Sequence, residues 1–225
     1  MKIVECFVGI QGEGSTAGRI RLFIRTSGCT LKCSFCDTKY HVKGREMTKA
    51  DEKLMSENKH WCITGGEPLI HQKELVKLIN KHQPDWVEIE TNGTIELTLE
   101  THLCVNQFNV SPKEMRWQPK GAKPEPVIFI EESEAKQSKQ GIVRDMAYGK
   151  FICKFVYSDK KSASFIKKIA KKYNIPAHKV WVMPEGTSKK AIDKMTKEVW
   201  AYCLKNKFNF SPRLHVTTFG TKKGI

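Results

Sequence analysis

Three cysteines lie close together at Cys29, Cys33 and Cys36, separated by three and then by two residues. Structural zinc normally takes four ligands in paired sets, and the nearest histidine, His41, follows Cys36 at a spacing that is not familiar for zinc. An iron–sulfur cube usually binds one thiolate on each of its irons, so three thiolates leave one iron open to another ligand. The spacing therefore favours an open [4Fe–4S] cluster, while a zinc site with His41 as its fourth ligand stays an alternative.

The composition indicates a single globular domain in a reducing compartment. The chain has 225 residues, of which 40% are hydrophobic and 28% are charged. It has no apolar run long enough to cross a bilayer, and its first ten residues include Glu5 and show no signal-peptide pattern, so we expect a cytoplasmic protein with no membrane partner. Disulfides are rare in the cytosol. The remaining five cysteines are therefore predicted to be buried free thiols: Cys6, Cys62, Cys104, Cys153 and Cys203.

The net charge is strongly positive, at +15 from 39 basic and 24 acidic residues. Many of the lysines lie on the polar faces of predicted helices, as in the segment 160–173 with the sequence KKSASFIKKIAKKY. Such faces are usually solvated surface, so we do not expect a nucleic-acid groove, although attraction of small anions is also compatible with the charge.

Predicted strands alternate with predicted helices along most of the chain. This order predicts a parallel sheet with helical crossovers, and hence an α/β fold of the partial (β/α) barrel type in one domain over residues 1–225. Turn-prone segments follow the strands, and such loops at the carboxyl ends of strands usually carry function. Three further regions complete the expected organisation: a cysteine loop at 28–38, an irregular insertion at 115–149, and a C-terminal strand and tail at 213–225.

Two motifs together resemble the radical S-adenosylmethionine superfamily. The first is the C-x3-C-x2-C triplet, and the second is TGGEP at Thr64–Pro68, which follows the predicted strand HWCIT. In that superfamily the open iron of the cluster binds S-adenosylmethionine, and the glycines of GGEP let the backbone approach the methionyl amino group.

Further stretches resemble the 7-carboxy-7-deazaguanine synthase family within this superfamily. They are GIQGEG at 9–14, RTSGCTLKCSFCDT at 25–38, ETNGT at 90–94, SPK at 111–113 and the tail FGTKKGI. The resemblance implies ring contraction of 6-carboxy-5,6,7,8-tetrahydropterin to 7-carboxy-7-deazaguanine with loss of ammonia, a step toward queuosine-type deazapurines. It implies three cofactors, namely a [4Fe–4S] cluster, S-adenosylmethionine and Mg²⁺. The reduced cluster would cleave S-adenosylmethionine to a 5'-deoxyadenosyl radical that removes a hydrogen from the pterin.

The same resemblance implies the roles of individual residues. Cys29, Cys33 and Cys36 would bind the cluster, and Thr38 would help to hold Mg²⁺. The expected S-adenosylmethionine contacts are Phe35, Cys36, Asp37, Gly66, Ser111, Pro112, Lys113, Met183, Pro184, Glu185 and Gly186. The expected substrate contacts are Ile10, Gln11, Gly12, Glu13, Arg25, Thr64 and, through its terminal carboxylate, Ile225, with Glu90 a weaker candidate. Arg25 is chosen because a guanidinium pairs bidentately with a carboxylate.

Two other functions remain to be tested against this one. A glycyl-radical activase would share the cysteine triplet, but the IQGEG and SPK segments argue against it. A basic, zinc-containing nucleic-acid-binding module would share the charge and the cysteines. The resemblance also implies a homodimer and an electron donor of the flavodoxin or ferredoxin type.

Overall fold

A computed structural model describes residues 1–36, 38, 42–124, 126, 149–220, 222 and 224. At their centre lies an eight-stranded sheet whose strands follow one another in chain order. The strands are β1 (Ile3–Ile10), β2 (Ile20–Thr26), β3 (His60–Gly65), β4 (Trp86–Thr91), β5 (Gln107–Val110), β6 (Phe151–Tyr157), β7 (Val180–Pro184) and β8 (Asn209–Phe210). β1 pairs antiparallel with β2, and every later neighbour is parallel. Among the described residues β1 and β8 are the two edges, so the barrel is partial, as predicted.

Helices form the crossovers that parallel neighbours require. They are α1 (Lys49–Glu57), α2 (Gln72–His82), α3 (Leu99–Cys104), α4 (Lys160–Lys172), α5 (Lys189–Asn206) and α6 (Leu214–Phe219). The first three connect strands from β2 to β5, and α4 and α5 connect strands from β6 to β8. This arrangement leaves the carboxyl ends of the parallel strands open at one edge of the sheet.

Side chains at the helix starts explain where the crossovers begin. The spacing of Thr48 and Asp51 in the sequence predicts a capping box, and the structure has it at the start of α1. Asp51 N–H donates to Thr48 Oγ1 (3.3 Å), and Thr48 N–H donates to Asp51 Oδ2 (2.7 Å). The Asp159 carboxylate accepts from two backbone N–H groups at the start of α4. The Ser188 hydroxyl accepts from one backbone N–H group, that of Ala191, at the start of α5. Each cap satisfies N–H groups that a helix leaves without an internal partner.

Two hydrophobic clusters flank the sheet. One packs α1 and α2 against the strands β1 to β5, around the fully buried Trp61 and Phe108. The other packs α4 and α5 against β6 and β7, with Ile166 and Ile169 on the face of α4 that its apolar spacing predicts.

The prediction for the five separate cysteines is confirmed in part. Cys62, Cys153 and Cys203 are buried, whereas Cys6 and Cys104 are only partly buried, and all five thiols are free. Burial raises the pKa of Cys203 to about 11, so this thiol stays protonated at neutral pH.

The predicted C-terminal strand is wrong, because Leu214–Phe219 forms the helix α6. The alternation of Leu214 and Val216 suggested a strand, but so short a run is equally compatible with one face of a helix turn. Leu214 N–H donates to Gly12 O (3.0 Å), and this contact holds the segment beneath the loop after β1. Gly220, at a φ of 65°, ends the helix.

The region 115–149 is described only at its two ends. Residues 115–124 contain a short 3-10 turn at Met115–Trp117 and otherwise irregular backbone. The strand β6 begins at Phe151, one residue after the start at Lys150 that the sequence KFICKFV predicts. The prediction of an irregular insertion otherwise falls on residues outside the described part. Of the helices that the structure describes, none is both long and apolar enough to cross a membrane.

Candidate active site

The carboxyl ends of the parallel strands surround one cavity of about 290 Å³. In-register pairing places neighbouring polar residues side by side there, since Arg25 on β2 faces Thr64 on β3, and Glu90 on β4 faces Asn109 on β5. Most of the predicted site residues line this cavity: Ile10, Gln11, Gly12, Glu13, Arg25, Phe35, Thr38, Thr64, Gly66, Glu90, Ser111, Lys113, Met183, Glu185 and Gly186.

Some predicted residues lie elsewhere. Pro112 and Pro184 do not line the cavity, although the residues on either side of each one do. Asp37 and Ile225 lie outside the described residues. Lys222 and Gly224 in the C-terminal tail line the cavity, so this part of the chain does reach the site.

The cysteine loop lies beside the cavity and presents its three sulfurs as free thiols. Cys36 N–H donates to Cys33 O (3.2 Å), which turns the chain between the last two cysteines. Leu31 N–H and the Asn92 amide approach Cys29 Sγ at 3.4 and 3.8 Å. Burial raises the pKa of the Cys29 thiol.

The GGEP segment, residues 65–68, packs directly against this loop because Gly66 has no side chain. A Cβ added at Gly66 would lie only 1.8 Å from Gly28 O and 2.9 Å from Cys29 Cβ. No other residue type fits at this distance. The backbone of the β3 end therefore runs alongside the cysteine loop.

Glu67 of the same segment ties three parts of the site together. Its buried carboxylate accepts from Thr91 Oγ1 (2.7 Å), Asn92 N–H (2.7 Å) and Leu69 N–H (3.1 Å). Its own N–H donates to Gly28 O (2.9 Å). Burial raises the pKa of this carboxyl, while the hydrogen bonds oppose the change. Glu67 thus fixes the ends of β3 and β4 relative to the cysteine loop.

The three thiols offer the donors that an iron–sulfur cluster uses, since each thiolate of a four-iron cube binds its own iron. Among the described residues, no group of three Cys, His, Asp or Glu side chains is arranged to hold a single metal ion. The N–H groups that point at the cysteine sulfurs are also typical partners of cluster thiolates. The three cysteines are therefore suited to a cube, and His41 of the zinc alternative lies outside the described residues.

Aromatic and basic side chains form the wall next to the cysteine loop. Phe35 contacts Trp117 edge to face at 4.4 Å between ring centroids, and the Lys113 ammonium lies 5.9 Å from the Phe35 ring centroid. Lys113 Nζ also donates to Ser111 Oγ (2.7 Å), which joins the SPK segment to this wall. The wall offers an apolar ring, a cation and a hydroxyl to a bound molecule.

A group of buried charges also lines the cavity. Lys154 Nζ donates to Glu13 Oε2 (2.8 Å) and to Glu90 Oε2 (2.6 Å), and Arg213 Nε donates to Glu13 Oε1 (2.9 Å). Burial alone would raise the pKa of Glu13, but Lys154, Arg213 and His215 outweigh it and hold the pKa well below its usual value. Burial keeps the pKa of Glu90 raised, so Glu90 is the carboxyl of this group that takes up a proton more readily.

The side chain of Gln11 is used to hold the loop after β1. Its Nε2 donates to Glu88 Oε1 (2.9 Å) and contacts Glu90 Oε1 (3.3 Å), while its Oε1 accepts from Glu13 N–H (3.2 Å). Glu88 is fully buried and also accepts from Thr16 Oγ1 (2.7 Å). Gln11 therefore positions Glu13, and its side-chain amide bonds to other residues of the protein.

Arg25 and Thr38 lie next to each other in the wall of the cavity. Arg25 Nη1 is 3.4 Å from Thr38 Oγ1, and Arg25 Nε donates to Glu5 Oε1 (2.6 Å). The predicted anion-binding residue and the predicted Mg²⁺ ligand are thus neighbours. Glu5, which sequence analysis did not select, adds a carboxylate to this side.

Sequence analysis missed Lys154, Arg213 and Glu67. A lysine inside the apolar strand FICKFV was a visible signal, since lysine is almost never fully buried without a partner. Arg213 was read as part of a strand, and its partner Glu13 is 200 residues away, so no local pattern marks it. Glu67 belonged to a recognised motif of which only the glycines were considered.

A family model for the radical SAM superfamily matches residues 23–115, from β2 to the turn after the SPK segment. The 7-carboxy-7-deazaguanine synthase of Pyrobaculum aerophilum is 30% identical over 235 residues, covering 100% of this chain and 97% of that protein. The enzyme of the same name from Rhodopirellula baltica is also 30% identical, covering 99% of this chain and 88% of its own length. The one from Thermoplasma acidophilum is 45% identical over 103 residues, or 43% of this chain and 49% of that protein.

A solved structure has the same architecture. The crystal structure of QueE from Escherichia coli superimposes with a TM-score of 0.65 and covers 95% of this chain and 94% of that chain. The sequence identity is 22%, so this likeness concerns the fold. It supports the partial barrel described above.

Proposed function

Because the chain belongs to the 7-carboxy-7-deazaguanine synthase family of radical SAM enzymes, we propose that it converts 6-carboxy-5,6,7,8-tetrahydropterin to 7-carboxy-7-deazaguanine with release of ammonia. The main support from the site is that a single cavity is lined both by the residues of the cofactor motifs and by a separate set of buried charges. This family membership argues against both a glycyl-radical activase and a zinc-containing nucleic-acid module.

The cysteine side of the cavity is the proposed site for the cluster and S-adenosylmethionine. Cys29, Cys33 and Cys36 would hold the cluster, and the adjoining site for S-adenosylmethionine would be lined by Phe35, Gly66, Ser111 and Lys113. The backbone beside Gly66 can approach a bound amino acid closely, and Lys113 carries a cation suited to a carboxylate. When bound, the cluster and S-adenosylmethionine supply the radical chemistry, and the protein positions the substrate and excludes water.

The group of buried charges around Glu13, Glu90 and Lys154 is the proposed site for the pterin ring. A pterin presents a guanidine-like edge of N–H donors, which pairs well with carboxylate acceptors. Glu13 is charged and fixed by Lys154 and Arg213, so it can accept from this edge. Glu90 lies across Lys154 from it and provides a second acceptor. The carboxylate of Ile225 is proposed, from family resemblance, to reach the same edge.

The substrate carboxylate is proposed to bind at Arg25. Arg25 and Thr38 are neighbours, and the family resemblance suggests that the Thr38 hydroxyl contributes to a Mg²⁺ ion shared with that carboxylate. Hydroxyl and carboxylate oxygens are hard ligands suited to Mg²⁺, which completes its shell with water. The Glu5 carboxylate already pairs with Arg25 through Nε.

The assembly and partners follow from family resemblance alone. We propose a cytoplasmic homodimer that receives electrons from a flavodoxin or ferredoxin. The experiment that tests this partner proposal is anaerobic turnover with each donor in place of chemical reductant.

The function is tested by anaerobic reconstitution followed by single-substrate turnover. A brown protein with about four irons per chain is expected, and with S-adenosylmethionine and reductant it should release 7-carboxy-7-deazaguanine from the carboxytetrahydropterin. Tetrahydropterin without the carboxylate is the matched control and should not react. A colourless zinc protein, or a brown protein that forms no deazapurine, would contradict the proposal.

A further inference from the structure

The residues 115–118, which follow the SPK segment, lie against the cysteine loop. Ser34 N–H donates to Trp117 O (3.0 Å), and the Trp117 ring packs on Phe35. Gln118 reaches further, because its Nε2 lies 2.9 Å from Cys33 Sγ. A side chain from outside the cysteine motif thus contacts the middle thiol of the triplet.

A second hydrogen bond fixes which end of the Gln118 amide faces the sulfur. Lys32 N–H donates to Gln118 Oε1 (3.3 Å), and a backbone N–H cannot accept, so the amide oxygen must point at Lys32. The NH₂ group then points at Cys33 Sγ, as a donor. The cysteine loop itself therefore orients the amide that approaches its thiol.

The turn that carries Gln118 is anchored to the rest of the fold. The neighbouring Arg116 donates to Glu114 Oε2 (2.6 Å) and, through Nη1 and Nη2, to the Asp159 carboxylate (2.7 and 2.9 Å). Nη2 also donates to Ser162 Oγ (3.0 Å) at the start of α4. These charge-assisted bonds fix the turn against α4, so Gln118 approaches Cys33 from a rigid support.

We infer that Gln118 is a positioning residue that donates a hydrogen bond to the Cys33 thiolate and raises the reduction potential of the cluster. The inference rests on the proposed function, since it requires that Cys33 bind iron. An N–H donor on a ligand sulfur stabilises the more negative, reduced cluster, and such hydrogen bonds are among the factors that set cluster potentials. Asn92 approaches Cys29 Sγ only at 3.8 Å and also donates to Thr30 Oγ1 (3.1 Å), so Gln118 is the stronger donor.

Two variants separate the hydrogen bond from other effects. Gln118→Leu removes both amide contacts without adding charge. Gln118→Glu keeps an acceptor for Lys32 N–H, removes the donor to Cys33, and adds a negative charge. Met115→Leu, at an exposed position on the same turn, is the matched control.

The measurement is an anaerobic redox titration of each reconstituted protein, followed by electron paramagnetic resonance of the reduced cluster, with iron counted beforehand. We expect Gln118→Leu to keep its iron and to lower the equilibrium constant for reduction about tenfold, which is about 59 mV for a one-electron couple. Gln118→Glu should lower the equilibrium constant for reduction further, because it also adds a negative charge. Met115→Leu should have the same equilibrium constant as the unsubstituted protein.

Three outcomes would overturn the inference. Equal reduction potentials for Gln118→Leu and the unsubstituted protein would show that the hydrogen bond does not affect the potential of the cluster. A change in Gln118→Glu alone would assign the effect to charge. Loss of iron in both Gln118 variants, but not in Met115→Leu, would assign Gln118 a structural role. Since the titration does not use the pterin, a cluster protein that lacks pterin turnover would contradict the proposed function and leave this result intact.

Discussion

Lys154 is the residue on which the buried charges of the cavity depend. It is only 4% exposed and lies between Glu13 and Glu90, and their carboxylates raise its pKa although burial acts in the opposite direction. The lysine is therefore charged at neutral pH and balances one full negative charge next to the proposed pterin site. Removing it would leave two carboxylates facing each other in a desolvated cavity.

We predict that Lys154→Met destabilises the protein by about 3–5 kcal/mol, the usual cost of breaking a buried ion pair from one side. The pKa of Glu90 should rise further, and the KM for the pterin should increase. The measurements are urea unfolding and steady-state kinetics. Lys161→Met, at an exposed position of α4, is the control and should change neither. Unchanged stability of Lys154→Met would mean that the ion pairs do not form in solution.

Thr38 gives a test of the magnesium proposal that leaves the cluster intact. We predict that Thr38→Ala keeps its iron but loses turnover stimulated by Mg²⁺, because the hydroxyl ligand is gone. Thr38→Ser retains a hydroxyl and should keep the response. Full Mg²⁺-stimulated activity in Thr38→Ala would rule out Thr38 as a ligand, without bearing on Cys29, Cys33 and Cys36.

At the scale of elements, the site depends on how closely the end of β3 approaches the cysteine loop. Local signals predicted both elements, since apolar runs mark strands and the cysteine spacing marks the loop. The distance between the end of β3 and the cysteine loop was not predictable. It results from the pairing of β2 with β3, which brings Thr26 beside Gly65. In this arrangement the Gly66 backbone lies so close to Gly28 that no side chain fits at residue 66.

We predict that Gly66→Ala displaces the cysteine loop, because the new Cβ would overlap Gly28 O. The affinity for S-adenosylmethionine should fall at least tenfold, measured by equilibrium dialysis on the reconstituted protein. Gly149→Ala is the control, since a Cβ there meets nothing within 4 Å. Equal affinity in Gly66→Ala and the control would show that this contact is not needed for binding.

For the whole molecule, buried histidines link stability to pH. His102 is fully buried against Phe108, and within the described residues neither of its ring nitrogens has a hydrogen-bond partner. Burial lowers the pKa of His102 and of His82 below their usual 6.5. Above pH 6.5 both residues are neutral in the folded and unfolded states. Below it the unfolded chain binds protons that the folded protein does not, so stability is lost as the pH falls.

We predict that the free energy of unfolding decreases by up to about 1.4 kcal/mol per pH unit for each of these histidines as the pH falls from 6.5 towards their folded pKa values. Anaerobic urea unfolding at pH 7.5, 6.5 and 5.5 measures this slope. His102→Leu should reduce the slope, whereas His60→Leu, at an exposed position, should not. An unchanged slope in His102→Leu would mean that folding does not shift the pKa of His102.

The sequence by itself determined the features that depend on neighbouring residues. These are the cysteine spacing, the capping box at Thr48, the apolar face of α4, and the alternation of strands with helices that predicts a parallel sheet. The tertiary structure alone decided that the last apolar segment is a helix and that Lys154 meets Glu13 and Glu90, which are 141 and 64 residues away. It also decided that Gln118 reaches Cys33 over 85 residues. Periodicity and capping act over a few residues, whereas these contacts depend on strand register and on loop positions that no short stretch of sequence specifies.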